Sequence, residues 1–88
     1  MMYIYRILGI VMSKAYVLLN VESGAEETVL KQLKEISIVE EAHISYGVYD
    51  LIVKINSDTM DKMKDDITHK IRKIKQVKTT LTLILIET

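Results

Sequence analysis

Val39-Glu-Glu-Ala-His-Ile-Ser-Tyr46, then Gly47-Val48, then Tyr49-Asp-Leu-Ile-Val-Lys-Ile55 is the stretch on which the fold turns. Two runs rich in β-branched and aromatic residues flank a glycine, the residue best able to take φ > 0 in a tight connection, so the stretch predicts two strands joined as a hairpin. Upstream, Ser23-Gly24-Ala25-Glu26 fits a capping box, in which the Ser23 hydroxyl and the Glu26 carboxylate satisfy free N–H groups at a helix start. The helix is expected to run to about Ile36, because Val29, Leu30, Leu33 and Ile36 recur at helical spacing while Glu27 and Lys31 form an outward i,i+4 pair. Before it, Ala15 to Val21 reads as a strand.

Downstream, Ser57 or Asp58 caps a second expected helix, whose apolar residues Met60, Met63, Ile67, Ile71 and Ile74 recur at steps of three or four. Lys70, Arg72, Lys73 and Lys75 at its end meet the negative pole of the helix dipole, or else an acidic partner. Val77 to Ile86 closes the chain as a strand. The order β-α-β-β-α-β predicts an α+β, ferredoxin-like domain: a four-stranded antiparallel sheet with two helices on one face. Alternation in the last strand leaves apolar residues on both of its sides, and two helices cover only one. The sheet is therefore expected to dimerise through its open face, as a dimeric α+β barrel.

Composition narrows the function. Twelve Lys and Arg against twelve Asp and Glu leave no basic excess for a phosphate backbone, so no direct DNA binding is expected. The absence of Cys removes disulfides and thiolate metal sites and fits a cytoplasmic location. With 88 residues the chain makes one small domain, for which association is the remaining support. Residues 1–12 are read as an amino-terminal extension or misassigned start, with Met12-Ser13-Lys14 resembling a second beginning, and 13–88 as the domain proper. An extra strand or a targeting signal are the other readings of 1–12. The apolar run Met1 to Val11 is shorter than the roughly 20 residues that cross a bilayer, so no membrane partner is expected.

Catalytic chemistry is thin. His43 and His69 are the only histidines, and neither metal nor cofactor is expected from them. His69 reads as solvent-facing, while His43 reads as a sheet or interface residue, a ligand contact, or a base. Asp58, Asp61, Asp65 and Asp66 read as a solvated helix face rather than a calcium site. More distinctive is Gly47-Val48-Tyr49-Asp50. Gly frees the backbone, Tyr offers an aromatic wall, and Asp accepts a hydrogen bond from an amine or from turn amides.

That segment resembles the Gly-x-Tyr-Asp hairpin of the Lrp/AsnC effector-binding (RAM) domain. Glu41-Ala42-His43-Ile44 resembles the strand leading into that glycine, and Val77-x-x-Thr80-x-Thr82-Leu83-Ile84-Leu85 resembles the family's closing strand. The resemblance spans Lys14 to Glu87. It implies a non-enzymatic regulatory domain that pairs through its sheet, assembles into an octamer or decamer, and holds an amino acid between dimers. On this resemblance Gly47, Tyr49 and Asp50 shape the effector site and Thr80 and Thr82 add hydroxyls; His43, from its place in the second strand, is a further candidate contact. The residues before Lys14 are too few for the helix-turn-helix domain of full-length members, so regulation of transcription is expected to be indirect, including through mixed oligomers with full-length Lrp/AsnC proteins. A small monooxygenase of dimeric α+β barrel form and an ACT-like allosteric module are the alternatives.

Overall fold

The computed structural model describes residues 12–86. The reading of 1–12 as an extension or misassigned start therefore falls, but for Met12, outside the described residues. Strand β1 (Ser13–Val21) leads into helix α1 (Glu26–Lys34), followed by β2 (Val39–Ile44), β3 (Leu51–Ser57), α2 (Met60–Asp66, continued by a π-helical turn at Ile67–Ile71) and β4 (Val77–Leu85). All pairings are antiparallel and the sheet order is β2-β3-β1-β4. This is the expected ferredoxin-like sheet, with the first strand central and β2 and β4 at the edges.

Register sorts the side chains onto two faces. Ala15, Val17, Leu19 and Val21 of β1 and Leu51, Val53 and Ile55 of β3 are buried, with Ala42 of β2, against Val29 and Leu33 of α1 and Met63, Ile67, Ile71 and Ile74 of the second helical segment. On the other face Leu18 pairs with Leu81 and Ile52, and Tyr16 with Leu83 and Lys54. Leu81, Leu83 and Leu85 are exposed there, with Leu83 at 47%. Ile84, on the helix side opposite Ala15, is exposed too, so the end of β4 is apolar and uncovered on both faces.

Both expected caps are corrected. The N-cap of α1 is Ala25 with no side-chain cap bond, because Glu22 to Ala25 form a turn closed by Ala25 N–H to the Glu22 carbonyl (2.9 Å), with Gly24 at φ +85. That turn sets Ser23 outside the helix start. For α2 the cap is Thr59, whose Oγ1 accepts from Lys62 N–H at 3.0 Å; Ser57 instead ends β3 with its side chain buried. Asp66 also departs from the expected solvated acidic face: it is 3% exposed and paired with Lys62 and Lys70 at 3.3 and 3.6 Å.

The π turn has a sequence cause. Met63, Ile67 and Ile71 are spaced by four, and in an α-helix each such step drifts around the axis because a turn holds only 3.6 residues. A wider turn, closed by Arg72 N–H to the Ile67 carbonyl at 2.9 Å, absorbs that drift and keeps the apolar residues on the sheet side. The helical stretch ends at Ile71 in consequence, so Ile74 packs from the following turn.

Candidate functional site

Topology decides what meets at the functional end. β1 ends where α1 begins, the β2–β3 connection returns to the same end, and α2 delivers the chain there to start β4. The connection is longer than a tight hairpin, since β2 stops at Ile44 and β3 starts at Leu51. Within it Gly47 has φ +152, a conformation that L side chains rarely adopt, which is why glycine stands there. Tyr46, 99% exposed, and Val48 project from the loop tip.

Asp50 organises this loop. Its backbone N–H donates to the Leu19 carbonyl (2.9 Å), its carbonyl accepts from Ser45 N–H (2.8 Å), and its Oδ2 accepts from Val21 N–H (2.9 Å). The last bond falls where the β1–β4 register shifts between Asn20 and Val21. A bulge disturbs the ladder, and the carboxylate gives the Val21 N–H an acceptor. Of the two expected roles for Asp50, ordering the loop is thus occupied by one oxygen.

A notch of 370 Å³ opens beside the loop, lined by Glu26, Glu27, Ile44, Ser45, Tyr46, Gly47 and Asp50. Three carboxylates and the uncapped start of α1 converge on it. Such a surface offers acceptors for an ammonium group, and N–H groups at a helix start suit an anion. A second notch of 340 Å³ lies at the other edge of the sheet, lined by Arg72, Val77, Lys78, Thr79 and Thr80.

The residues singled out from sequence do not all meet. Gly47 and Asp50 line the first notch and Thr80 the second, while Tyr49 is half-buried beside Asp50. Thr80 and Thr82 lie on the helix face opposite Leu19 and Val17. Ile44, Leu51, Leu19 and Thr80 form one row across the sheet, so three strand spacings, about 14 Å, separate the two notches within one chain. His43 occupies the open face in a row with Ile52, Leu18 and Leu81. Sequence reasoning missed Glu26, Glu27, Ser45 and Tyr46; the available signal was that α1 starts at the end to which the β2–β3 connection returns.

His43 has a partner of its own. Its Nε2 lies 3.0 Å from Glu41 Oε1, and this hydrogen bond is the main cause that holds the Glu41 carboxyl below the usual carboxylate range; desolvation opposes it, and the charges of Lys54 and His43 add to it in smaller measure. A depressed folded value means that the pair's contribution is present above the ordinary carboxylate range and is lost as pH falls through the depressed value. Replacing His43 by Ala should raise the Glu41 midpoint, read by carbon-detected NMR titration. An unchanged midpoint would remove His43 as the cause.

Among the described residues no cluster of three metal-ligating side chains occurs, and no helix is long and apolar enough to cross a membrane. No curated protein sequence matches the chain. Solved structures do: FFRP-DM1 is 39% identical, covering 84% of this chain and 99% of that one with a TM-score of 0.82. AsnC of E. coli is 23% identical, with 94% of this chain and 56% of that one covered and a TM-score of 0.82. The transcriptional regulator NMB0573 of Neisseria meningitidis, solved as its L-Met complex, is 10% identical, with 85% and 50% covered and a TM-score of 0.77. At such identities the last two speak for the fold alone. The sequence profile of the Lrp/AsnC ligand binding domain matches residues 14–88, nearly the whole described sheet and both helices, and the chain belongs to that family.

Proposed function

We propose that this protein is a regulatory domain that binds a small effector, an amino acid, at an interface between subunits and acts on transcription indirectly. The observation that carries this is the notch under the Gly47–Asp50 loop, where a family-type hairpin stands against the uncapped start of α1. An amino acid has an ammonium group for the carboxylates of Glu26, Glu27 and Asp50 and a carboxylate for the N–H groups of the helix start. The notch is open, as expected of half a site.

Gly47, Tyr49 and Asp50 act from one subunit. Thr80 and Thr82 act from another, since within one chain they lie across the sheet. His43 faces the dimer contact on the open sheet face. Effector binding then shifts assembly, because a ligand held between subunits stabilises the oligomer that contains its site. The oligomer is an octamer or decamer built from sheet-paired dimers, able to include full-length Lrp/AsnC chains, and it works in the cytoplasm without catalysing a reaction. The L-Met complex of the Neisseria regulator, which shares this fold, is consistent with the ligand class.

Thermal denaturation and light scattering across the twenty amino acids test this. At a ligand concentration one hundred times Kd the expected stabilisation is about 2.7 kcal/mol, which corresponds to a Tm rise of roughly 10 °C or more in a domain of this size. One amino acid or a chemically related group should produce it, together with a change in oligomer mass. No shift with any of them at millimolar concentration would overturn amino-acid sensing.

A further inference from the structure

The end of β4 carries more apolar surface than a sheet-to-sheet contact covers. Leu81, Leu83 and Leu85 face the open side that the proposed dimer uses, but Ile84 stands on the helix side opposite Ala15 and is 41% exposed, and Ile86 follows at 84%. Neither helix covers them. β4 is also an edge strand, and its outer row of N–H and C=O groups has no strand partner among the described residues. From Thr79 through Ile86 there is no charge, glycine or proline, so this edge lacks the features that ordinarily deter a further strand. An extended segment that is apolar on both of its sides fits there.

The chain itself supplies such a run close by. Met12 leads into β1, whose Lys14 pairs with Leu85, so residues 1–11 join the sheet beside the last residues of β4. The outer edge of β4 lies two strand spacings from β1, about 10 Å, which roughly three extended residues span. Gly9-Ile10-Val11 suffices for that connection. Before it, Tyr3-Ile-Tyr-Arg-Ile-Leu8 is aromatic, β-branched or apolar at every position but Arg6. In an extended chain Tyr3, Tyr5 and Ile7 take one side and Ile4, Arg6 and Leu8 the other. Six residues of strand cover about 20 Å, against about 30 Å for the nine of β4.

We propose that residues 3–8 add to the free edge of β4 of the same chain as a further strand and close the sheet against strands of other molecules. The direction follows from the connection: a segment that returns to the start of β1 runs antiparallel to β1, as β4 does, and is therefore parallel to β4. Ile84 and Ile86 then gain apolar neighbours on the helix side. A second copy could offer its own strand to the same edge, but it competes with a segment tethered a short distance away, whose effective concentration is on the order of millimolar. This is the extra-strand reading of the amino-terminal residues, and it requires neither an effector nor a dimer.

Comparison of the full chain with one that starts at Met12 tests the added strand. Without residues 1–11 the Tm should fall by at least about 5 °C, and the outward amides of Thr79 to Leu85 should exchange with solvent at least about tenfold faster. In the full chain, nuclear Overhauser contacts should link residues 3–8 to residues 79–85. Arg6→Pro with Ile7→Pro removes a donor on each side of the run, so that one of the two faces β4 in either orientation. This variant should reproduce the faster exchange at unchanged length, with circular dichroism as the check on the remaining fold. If the shorter chain does not fold, the contacts and the proline variant decide the matter. Equal melting and equal exchange in the two chains would overturn the proposal. Protection of β4 that outlasts the truncation and disappears on dilution would overturn it too, by assigning the edge to a second copy.

Discussion

Leu83→Glu should dissociate the proposed sheet-paired dimer while leaving the monomer folded. Leu83 is 47% exposed on the open sheet face, between Tyr16 across the strand pair and solvent at the β4 edge. In the isolated subunit a charge there meets water, and exposed substitutions of this kind stay within about 0.5 kcal/mol. In the proposed dimer the same charge leaves water against Tyr16, Leu81 and their counterparts, and the cations of that face, Lys14 and Lys54, belong to other strands. Leaving a charge unpaired in such an interface costs about 3–5 kcal/mol, which is two to four powers of ten in the dimer dissociation constant. Sedimentation equilibrium reads the constant and circular dichroism the fold. A charge placed at Thr68, exposed on the helical side, is the control and should leave the dimer intact. A Leu83→Glu protein that sediments like its parent would show that the open face is not the dimer contact.

Asp50→Ala should cost about 2 kcal/mol of stability, within the range for hydrogen bonds to charged groups. The Val21 N–H then loses the carboxylate 2.9 Å away, at a residue that is itself buried. For a domain of fewer than 100 residues this lowers Tm by roughly 8–16 °C. The loop loosens with it, since the side-chain bond is one of two, with Asp50 N–H to the Leu19 carbonyl, that tie residues 45–50 to the end of β1. Asp50→Asn separates two roles. The amide oxygen still accepts from Val21 N–H, so most stability should remain, while the charge offered to an effector ammonium is gone and affinity should fall about tenfold or more. If Asp50→Asn binds effector like the parent, Asp50 serves the loop alone.

How far the sequence carried this fold can be argued from its helices. Apolar residues at Val29 and Leu33 and at Met63, Ile67 and Ile71 were enough to place both helices, and strict alternation in β1 placed the sheet's two faces. Caps were less legible. Ser23 and Glu26 satisfy the capping pattern by identity, but the Glu22–Ala25 turn with Gly24 at positive φ leaves Ser23 outside the helix and makes Glu26 its first residue. Asp66 looked like one more solvated acid because the pattern does not show which face each acid takes; in the fold it is buried and paired with Lys62 and Lys70. In the candidate site, Gly47 and Asp50 were visible as turn chemistry. Glu26 and Glu27 were not, because their nearness to that loop depends on how α1 lies over β2 and β3. The hydrogen bond from Val21 to Asp50 spans 29 residues of sequence, and no local pattern announces it.

The strand order has a consequence for how the chain is made. Of the four described strands β1 is the first to leave the ribosome and β4 the last, yet they lie side by side and share a pairing over Lys14 to Val21. Until β4 emerges, β1 can complete only one of its edges, with β3, and its other row of N–H and C=O groups stays open to any strand nearby. Translation speed over residues 58–76, the stretch between β3 and β4, therefore sets how long each newborn chain exposes the centre of its own sheet.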